Sequence, residues 1–439
     1  MITLNYDRGK IVVDGGNVYL DDIETQEIFP AYKYRDIIKT LKKQKIKFID
    51  NAFEKKQSLD LCSEIKLRSY QSKALEEWKK NDFRGIVVLP TGAGKTFLAV
   101  KAMEILQTST LIVVPTIVLV EQWRKVLEEN FKIPIGAIGG GNNELREITV
   151  ATYDSASIRS RKLGNLFELI IFDEVHHMPA PSYRKIARRY LAPSRLGLTA
   201  TLQSDEAHEL LFDELLGPTV YRLGVDDLSG EHLAEFAVKT IKVPLTDEEA
   251  QIYDRQYGIY RKYLRKNNIQ IKSSNDYVRF VRRSGIDPNA RRALLARKRA
   301  MDLALNSQNK ISYLKSLIKN HPDEKTLIFT KYNKLVYKLS KELLIPAITH
   351  QTPPEEREQI LRYFTSGQYN RIVTSRVLDE GVDVPDASIA VIISGTGSKR
   401  QFIQRLGRIL RKKPGKQAIL YELVSAGTAE RYISRRRKQ

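Results

Sequence analysis

Short apolar runs alternating with helical stretches constrain this chain more than any other feature of it. Between about residues 84 and 225 they are Gly85-Ile-Val-Val-Leu89, Thr110-Leu-Ile-Val-Val114, Ile148-Thr-Val-Ala151, Glu168-Leu-Ile-Ile-Phe172 and Arg195-Leu-Gly-Leu198. A strand with no polar alternate face is buried on both sides, and helices between such strands cover a parallel sheet. After His321-Pro322 the pattern returns with Thr326-Leu-Ile-Phe329, Arg371-Ile-Val-Thr374, Ile389-Ala-Val-Ile-Ile393 and Ala418-Ile-Leu-Tyr421. The expected fold is α/β, with two parallel-sheet lobes.

A length of 439 residues suits two or three domains of roughly 100–200 residues each. Residues 1–56 read as a small opening unit without a chemical motif. It has alternating segments near Ile2–Tyr6 and Lys10–Val13, a turn at Asp14-Gly15-Gly16-Asn17, and a helical pattern from Tyr34 to Lys45. Residues 57–230 make the first lobe and 231–439 the second. Inside the second, a capping box of Thr246 and Glu249 opens a basic helical insertion at about 247–305, and a further helical pattern runs through Lys319.

The chain carries 73 Lys and Arg against 52 Asp and Glu, a formal charge of +21. That excess points to a polyanionic partner, unless it is only a basic solvated surface. Its distribution favours nucleic acid, because residues 251–300 hold 14 Lys or Arg and 3 acids, a net +11. Tyr253, Tyr257, Tyr260, Tyr263, Tyr277 and Phe280 lie among those charges, so the stretch offers rings to bases as well as cations to phosphates. Arg282 and Arg283 are its candidate DNA contacts. The single cysteine, Cys62, excludes an internal disulfide and a cysteine-rich metal site. No signal-peptide layout opens the chain, and the longest apolar run, around Leu111 to Val120, is broken by Pro115 and too short to span a bilayer. A soluble, cytoplasmic protein without membrane association is expected.

Leu89-Pro90-Thr91-Gly92-Ala93-Gly94-Lys95-Thr96 follows an expected strand and precedes an expected helix, Phe97 to Gln107, the context that a phosphate-binding loop needs. Gly92 and Gly94 let backbone N–H groups turn toward phosphates, Lys95 reaches the β and γ phosphates, and Thr96 ligates magnesium. Leu89 stands where the general pattern has its first glycine. Asp173 and Glu174 end another apolar strand, at the edge where α/β sheets place ligands. Alone they would read as solvated acids; downstream of a phosphate loop, Asp173 suits the magnesium shell and Glu174 the attacking water. His176 and His177 follow, and as neighbours on a strand they would point to opposite faces, against a shared metal. Gln404, Arg408 and Arg411 fall on one helix face, where they are either a basic solvated surface or stabilisers of phosphoryl charge.

Arg68-Ser-Tyr-Gln71, Pro90 to Thr96, Pro115-Thr116, Thr152-Tyr153, Asp173-Glu-Val-His176, Thr199-Ala-Thr201, Asp379-Glu-Gly-Val-Asp383 and Gln404 to Arg411 form an ordered set that resembles superfamily 2 helicases of the DExH kind. Leu89 to Thr96, Leu198 to Thr201 and Gln404 to Arg411 look most like the XPB family, in a form of archaeal size, over about residues 58–439. Pro30 to Ile38 resembles the damage-recognition-type domain that precedes that motor, and the basic insertion sits where the family's thumb-like element grips DNA.

The resemblance implies two RecA-like lobes that close on ATP with Mg2+ and open after hydrolysis, moving 3′ to 5′ on duplex DNA in excision repair or transcription-linked opening. It implies a catalytic set of Lys95, Asp173, Glu174, His176, Gln404, Arg408 and Arg411. Arg68 and Gln71 would meet the adenine, with Gly381 and Asp383 also at the nucleotide. Thr116, Thr152, Thr330 and Ser375 would touch the DNA backbone, and Thr199 and Thr201 would link hydrolysis to lobe movement. A monomeric motor with a structure-specific endonuclease partner is implied too. Ser69 replaces a common proline, and Gln203-Ser-Asp-Glu206 stands where the family carries Arg-Glu-Asp, implicated in strand separation, so translocation is better supported than unwinding. An RNA helicase would share the phosphate machinery. A non-catalytic scaffold subunit would show a damaged nucleotide site, and these motifs are intact.

Overall fold

The structure, a computed structural model, describes residues 1–15, 18–20, 23–53, 58–202, 206–224, 227, 235–375, 387–394 and 417–438. Asp379, Gly381, Asp383, Gln404, Arg408 and Arg411 lie outside these, as do Gln203 to Asp205 and the Gly16-Asn17 part of the expected turn. The chain divides into two compact units, Met1–Leu228 and Ser229–Gln439.

In the first unit an eight-stranded sheet runs, edge to edge, Asn142–Glu144, Gly136–Gly139, Ile148–Thr152, Thr110–Val114, Leu169–Asp173, Ser194–Thr199, Arg84–Val88 and Thr219–Arg222. All neighbours pair in parallel except the first two, which form an antiparallel hairpin. The five expected strands are present, within a residue or two at their ends. The unforeseen ones are the two edge strands, which are largely exposed, and the glycine-rich Gly136–Gly139 beside one of them; none has a continuous run of large apolar residues. Helices on both faces leave Thr110–Val114 and Leu169–Asp173 buried at every position, each large side chain contributing about 1.5–3 kcal/mol. In this register Asp173 pairs with Leu198, and Thr199 with Val88. Strand ends carrying Asp173, Thr199 and the phosphate loop therefore meet at one edge.

The opening residues make a four-stranded sheet, Ile28–Pro30, Lys10–Asp14, Ile2–Asp7 and Phe48–Asn51, in that spatial order. Its hairpin closes at Arg8-Gly9, with φ of 46° and 97°, the left-handed pair that a two-residue turn between twisted strands requires. The last strand pairs in parallel with the first, so helix Tyr34–Lys43 serves as the crossover. Leu191, from the larger sheet's side of the unit, completes the core of Leu4, Ile11, Phe29, Ile37 and Leu41. The Tyr6 hydroxyl donates toward Arg189 O (3.1 Å) and Ser160 O (3.2 Å), and Tyr32 donates to Glu214 Oε1 (2.5 Å). Gly164 permits this docking, since a Cβ there would collide with the Tyr6 hydroxyl. Tyr6→Phe is expected to cost about 1 kcal/mol, seen as a lower urea midpoint at unchanged slope.

The second unit has a six-stranded, wholly parallel sheet in the order Glu235–Val243, Gln417–Ser425, Ile389–Ile392, Thr326–Phe329, Arg371–Thr374 and Ala347–Ile348. Glu235–Val243 was not foreseen, because Lys239 and Lys242 interrupt its apolar pattern. The Thr246 capping box forms: Thr246 Oγ1 accepts from the Glu249 N–H, and Glu249 Oε2 accepts from the Thr246 N–H, both at 3.2 Å. Helices Asp247–Lys266, Ser274–Arg283, Pro288–Leu305 and Gln308–Lys319 follow.

Here the structure corrects one expectation. Tyr253, Tyr260 and Phe280 are buried, and Tyr257, Tyr263 and Tyr277 pack partly buried against them. The rings are the insertion's own core, because a three-helix element this small must bury its aromatics to hold together. Its outward chemistry is cationic.

Candidate nucleotide-binding site

The loop between Val88 and Lys95 has the backbone that phosphate binding requires. Gly92 and Gly94 sit at φ of 85° and 74°, and Gly94 caps helix Lys95–Leu106 in the left-handed region. Those conformations favour glycine and aim successive N–H groups at one point above the helix N-terminus. The loop is braced from behind: Gln71 Nε2 donates to Ala93 O (2.9 Å) and Gly94 O (3.2 Å), and the Tyr70 hydroxyl to Ala93 O (2.9 Å). A Cβ at Gly94 would collide with Gln71 Nε2. Gln71 Oε1 also accepts from the Arg68 N–H at 2.8 Å. The Gln71 amide, expected at an adenine, is thus committed here to holding the loop.

Lys95 Nζ donates to Leu89 O (3.1 Å) and Pro90 O (3.4 Å), curling over the loop it belongs to. Asp173 is buried at its strand end; Oδ2 accepts from Trp123 Nε1 (2.9 Å) and Oδ1 from the Glu174 N–H (3.0 Å). Glu174 itself lies at φ 49°, a conformation that costs a non-glycine residue of order 1 kcal/mol and that recurs at functional sites. Its Oε2 accepts from Thr199 Oγ1 at 3.3 Å and lies 3.2 Å from His176 Nδ1, which is 3.0 Å from Thr199 Oγ1. Thr199 Oγ1 in turn donates to Thr201 O (2.9 Å). Tyr153, buried beneath, donates to the carbonyls of Asp173 (3.0 Å) and Glu174 (3.4 Å).

The two adjacent carboxyls are pushed in opposite directions. Burial, then the charge of Glu174, raises Asp173 above the ordinary aspartate range. Burial pushes Glu174 up as well, but the hydrogen bond from His176 and the charge of Lys95 outweigh it and hold Glu174 below the ordinary glutamate range. Separating the proton affinities of paired acids assigns them different roles, here an ionised Glu174 beside an Asp173 that a cation would ionise.

These residues fit a nucleoside triphosphate with magnesium. Thr91 Oγ1 is buried without a hydrogen-bond partner among the described residues; the loop supplies N–H groups; Thr96 and Asp173 offer the few oxygen ligands that magnesium takes from a protein when phosphates and waters provide the rest. Magnesium, when bound, supplies charge that offsets the terminal phosphates.

Val175–His177 is a 3₁₀ turn, so the His176 and His177 rings do not point to opposite faces as strand neighbours would; they lie 4.4 Å apart. His176 turns toward Glu174 and Thr199. Among the expected DNA contacts, Thr116 and Thr152 cap helices Ile117–Phe131 and Tyr153–Leu163, accepting from the Leu119 and Ser155 N–H groups. Thr330 is fully buried with its hydroxyl 2.8 Å from Ser394 Oγ, and Ser375 is buried too. Arg282 is exposed, whereas Arg283 bonds Asn267 Oδ1 (3.1 Å) and pairs with Asp287 (3.6 Å). Trp123 carries the site from a distant position that nothing in local spacing marks, whereas Tyr70 and Tyr153 lie inside the Arg68-Ser-Tyr-Gln71 and Thr152-Tyr153 motifs, where no role was assigned to them.

Three family profiles match the chain: the xeroderma pigmentosum group B helicase damage recognition domain at residues 4–52, the type III restriction enzyme res subunit at 64–204, and the ERCC3/RAD25/XPB C-terminal helicase at 292–439. A protein of Sulfurisphaera tokodaii, named DNA 3′-5′ translocase XPB2, is 42% identical over the full length of both chains. The Mycobacterium tuberculosis DNA 3′-5′ helicase XPB is 32% identical over 82% of this chain and 60% of its own. The helicase domain of Pyrococcus furiosus Hef superposes with a TM-score of 0.54 at 19% identity, covering 84% of this chain and 97% of that one, which shows a shared fold. With the family's own profiles at both ends and a relative alike along its whole length, this chain belongs to the XPB family of helicases.

Proposed function

We propose that this chain is an ATP hydrolase that moves 3′ to 5′ along duplex DNA, in DNA repair or transcription-linked opening. One observation carries the reading: Lys95, Asp173, Glu174, His176 and Thr199 converge at the strand ends beside a braced phosphate loop. Lys95 and the loop N–H groups hold the β and γ phosphates, Thr96 and Asp173 hold magnesium, and Glu174 orients and polarises the attacking water. The hydroxyl of Thr199, shared by Glu174 and His176, passes the state of this site to the Thr199-Ala-Thr201 segment. Gln404, Arg408 and Arg411 are assigned to transition-state charge by motif match. Residues 1–56, 57–230 and 231–439 act as damage-recognition-type domain, first lobe and second lobe, with 247–305 as a DNA-gripping insertion. Thr116 and Thr152 contact phosphates at their helix N-termini, and a structure-specific endonuclease is the partner protein.

The test is steady-state ATP hydrolysis with no polynucleotide, duplex DNA, single-stranded DNA and RNA at two salt concentrations. Stimulation by duplex DNA that weakens with salt is expected. Stimulation by RNA alone would replace this reading with an RNA motor, and none at all would replace it with a scaffold.

A further inference from the structure

Ile286 is 91% exposed, an unusual position for a large apolar side chain in the middle of a cationic element. It stands in the turn between helices Ser274–Arg283 and Pro288–Leu305. That turn is pinned from both sides. Arg291 donates to Ser284 O (3.2 Å) and Gly285 O (3.0 Å), while Asp287 accepts from the Asn289 N–H (2.8 Å) and the Tyr263 hydroxyl (2.6 Å). Ser284 and Phe280 are buried, fixing the helix that leads into the turn. Ile286 is therefore a rigidly held tip.

The outward face of the same helix continues the feature. Positions 277, 280 and 284 face the core, whereas Val278 and Val281 are exposed at 45% and 40% beside exposed Arg279 and Arg282. An exposed helix face needs no valines for folding. Apolar groups set among arginines, on an element whose central 50 residues carry a net +11, match a polyanion that has an apolar interior: phosphates flanking stacked bases. Apolar wedges that enter a base step from the minor groove have this composition. A protein partner would find the valines but would have to desolvate the arginines.

We infer that Ile286 is a wedge that inserts against a base step of duplex DNA, with Val278 and Val281 behind it and Arg279 and Arg282 on the adjoining phosphates. The inference rests on the duplex-DNA reading above. It gives this chain a means of parting bases that does not depend on the segment at Gln203 to Asp205.

The experiment uses the full chain, without ATP, on a forked duplex carrying 2-aminopurine at the junction. Wild type is expected to brighten the probe on binding, and Ile286→Ser to lose most of that signal, at least about fivefold, with Ile286→Leu restoring it. Melting temperature and DNA-free hydrolysis should be unchanged in the serine variant. Equal brightening by wild type and Ile286→Ser overturns the wedge. So does an unchanged probe with wild type whose hydrolysis duplex DNA stimulates; that outcome leaves the motor standing and assigns the tip to a protein partner. If duplex DNA neither stimulates wild type nor is bound by it, the motor reading and the wedge fall together.

Discussion

Glu174→Gln is expected to bind ATP with near wild-type affinity and to hydrolyse it about 10²–10⁴ times more slowly, the range for losing a positioned general base. Lys95 and the loop N–H groups, to which the phosphates are assigned, stay in place when the Glu174 charge is removed, so binding is expected to survive. Turnover does not. Glutamine keeps the shape of the side chain and an oxygen for the Thr199 hydroxyl at 3.3 Å, but it cannot take the proton of the attacking water. The backbone of Glu174 is held at φ 49° with Tyr153 donating to its carbonyl, which keeps that side chain at one place above the strand end. Single-turnover hydrolysis alongside fluorescent-nucleotide binding separates the two effects. A turnover within threefold of wild type would remove Glu174 from its assigned role, and a comparable loss of nucleotide affinity would make it a structural residue of the loop.

Much of this site was legible because its chemistry is local in sequence. The phosphate loop needs two glycines, a lysine and a threonine in eight positions between a strand and a helix, and Gly92, Gly94, Lys95 and Thr96 satisfy that without reference to the rest of the chain. Asp173-Glu174 was legible as the end of an apolar strand. What tertiary structure decides was not. Trp123 reaches Asp173 from a helix 50 residues away in sequence, and Gln71, which the motif match assigns to an adenine, also braces the phosphate loop through its amide. The aromatic run at 253–280 was read as a surface for bases because its rings alternate with charges, yet on a helix that alternation lets the rings turn inward while lysines and arginines reach water. Thr116 and Thr152 show the same ambiguity: a hydroxyl at a helix N-terminus serves equally as cap and as phosphate contact. Arg195, read as part of an apolar strand, is fully buried with its guanidinium donating to the carbonyls of Ala187, Tyr190, Ala192 and Leu215. Two helix C-termini supply the negative ends that hold that cation, an arrangement no one-dimensional pattern announces.

Lys310→Met should destabilise the second unit by about 3–5 kcal/mol, the scale for stripping one partner from a buried ion pair. Lys310 and Glu430 are 0% and 1% exposed, and Lys310 Nζ meets both Glu430 oxygens at 2.6 and 2.8 Å and Ile393 O at 3.1 Å. Glu430 opens helix Glu430–Lys438, whose N-terminus favours a carboxylate, and it accepts from the Ser425 N–H at 2.8 Å. The pair thus joins helix Gln308–Lys319, the end of strand Ile389–Ile392 and the last helix of the chain. Removing Lys310 takes from a buried carboxylate the ammonium that meets both of its oxygens. Removing both charges, Lys310→Met with Glu430→Gln, avoids that penalty, so the double variant should be less destabilised than the sum of the singles by at least about 1 kcal/mol, the signature of direct coupling. Urea unfolding of the two singles, the double and wild type gives the cycle. Strict additivity would mean that the charges do not sense one another and that packing alone secures the closing helix; a double variant more stable than wild type would mean that the pair is retained for the specificity of that closure at a cost in stability.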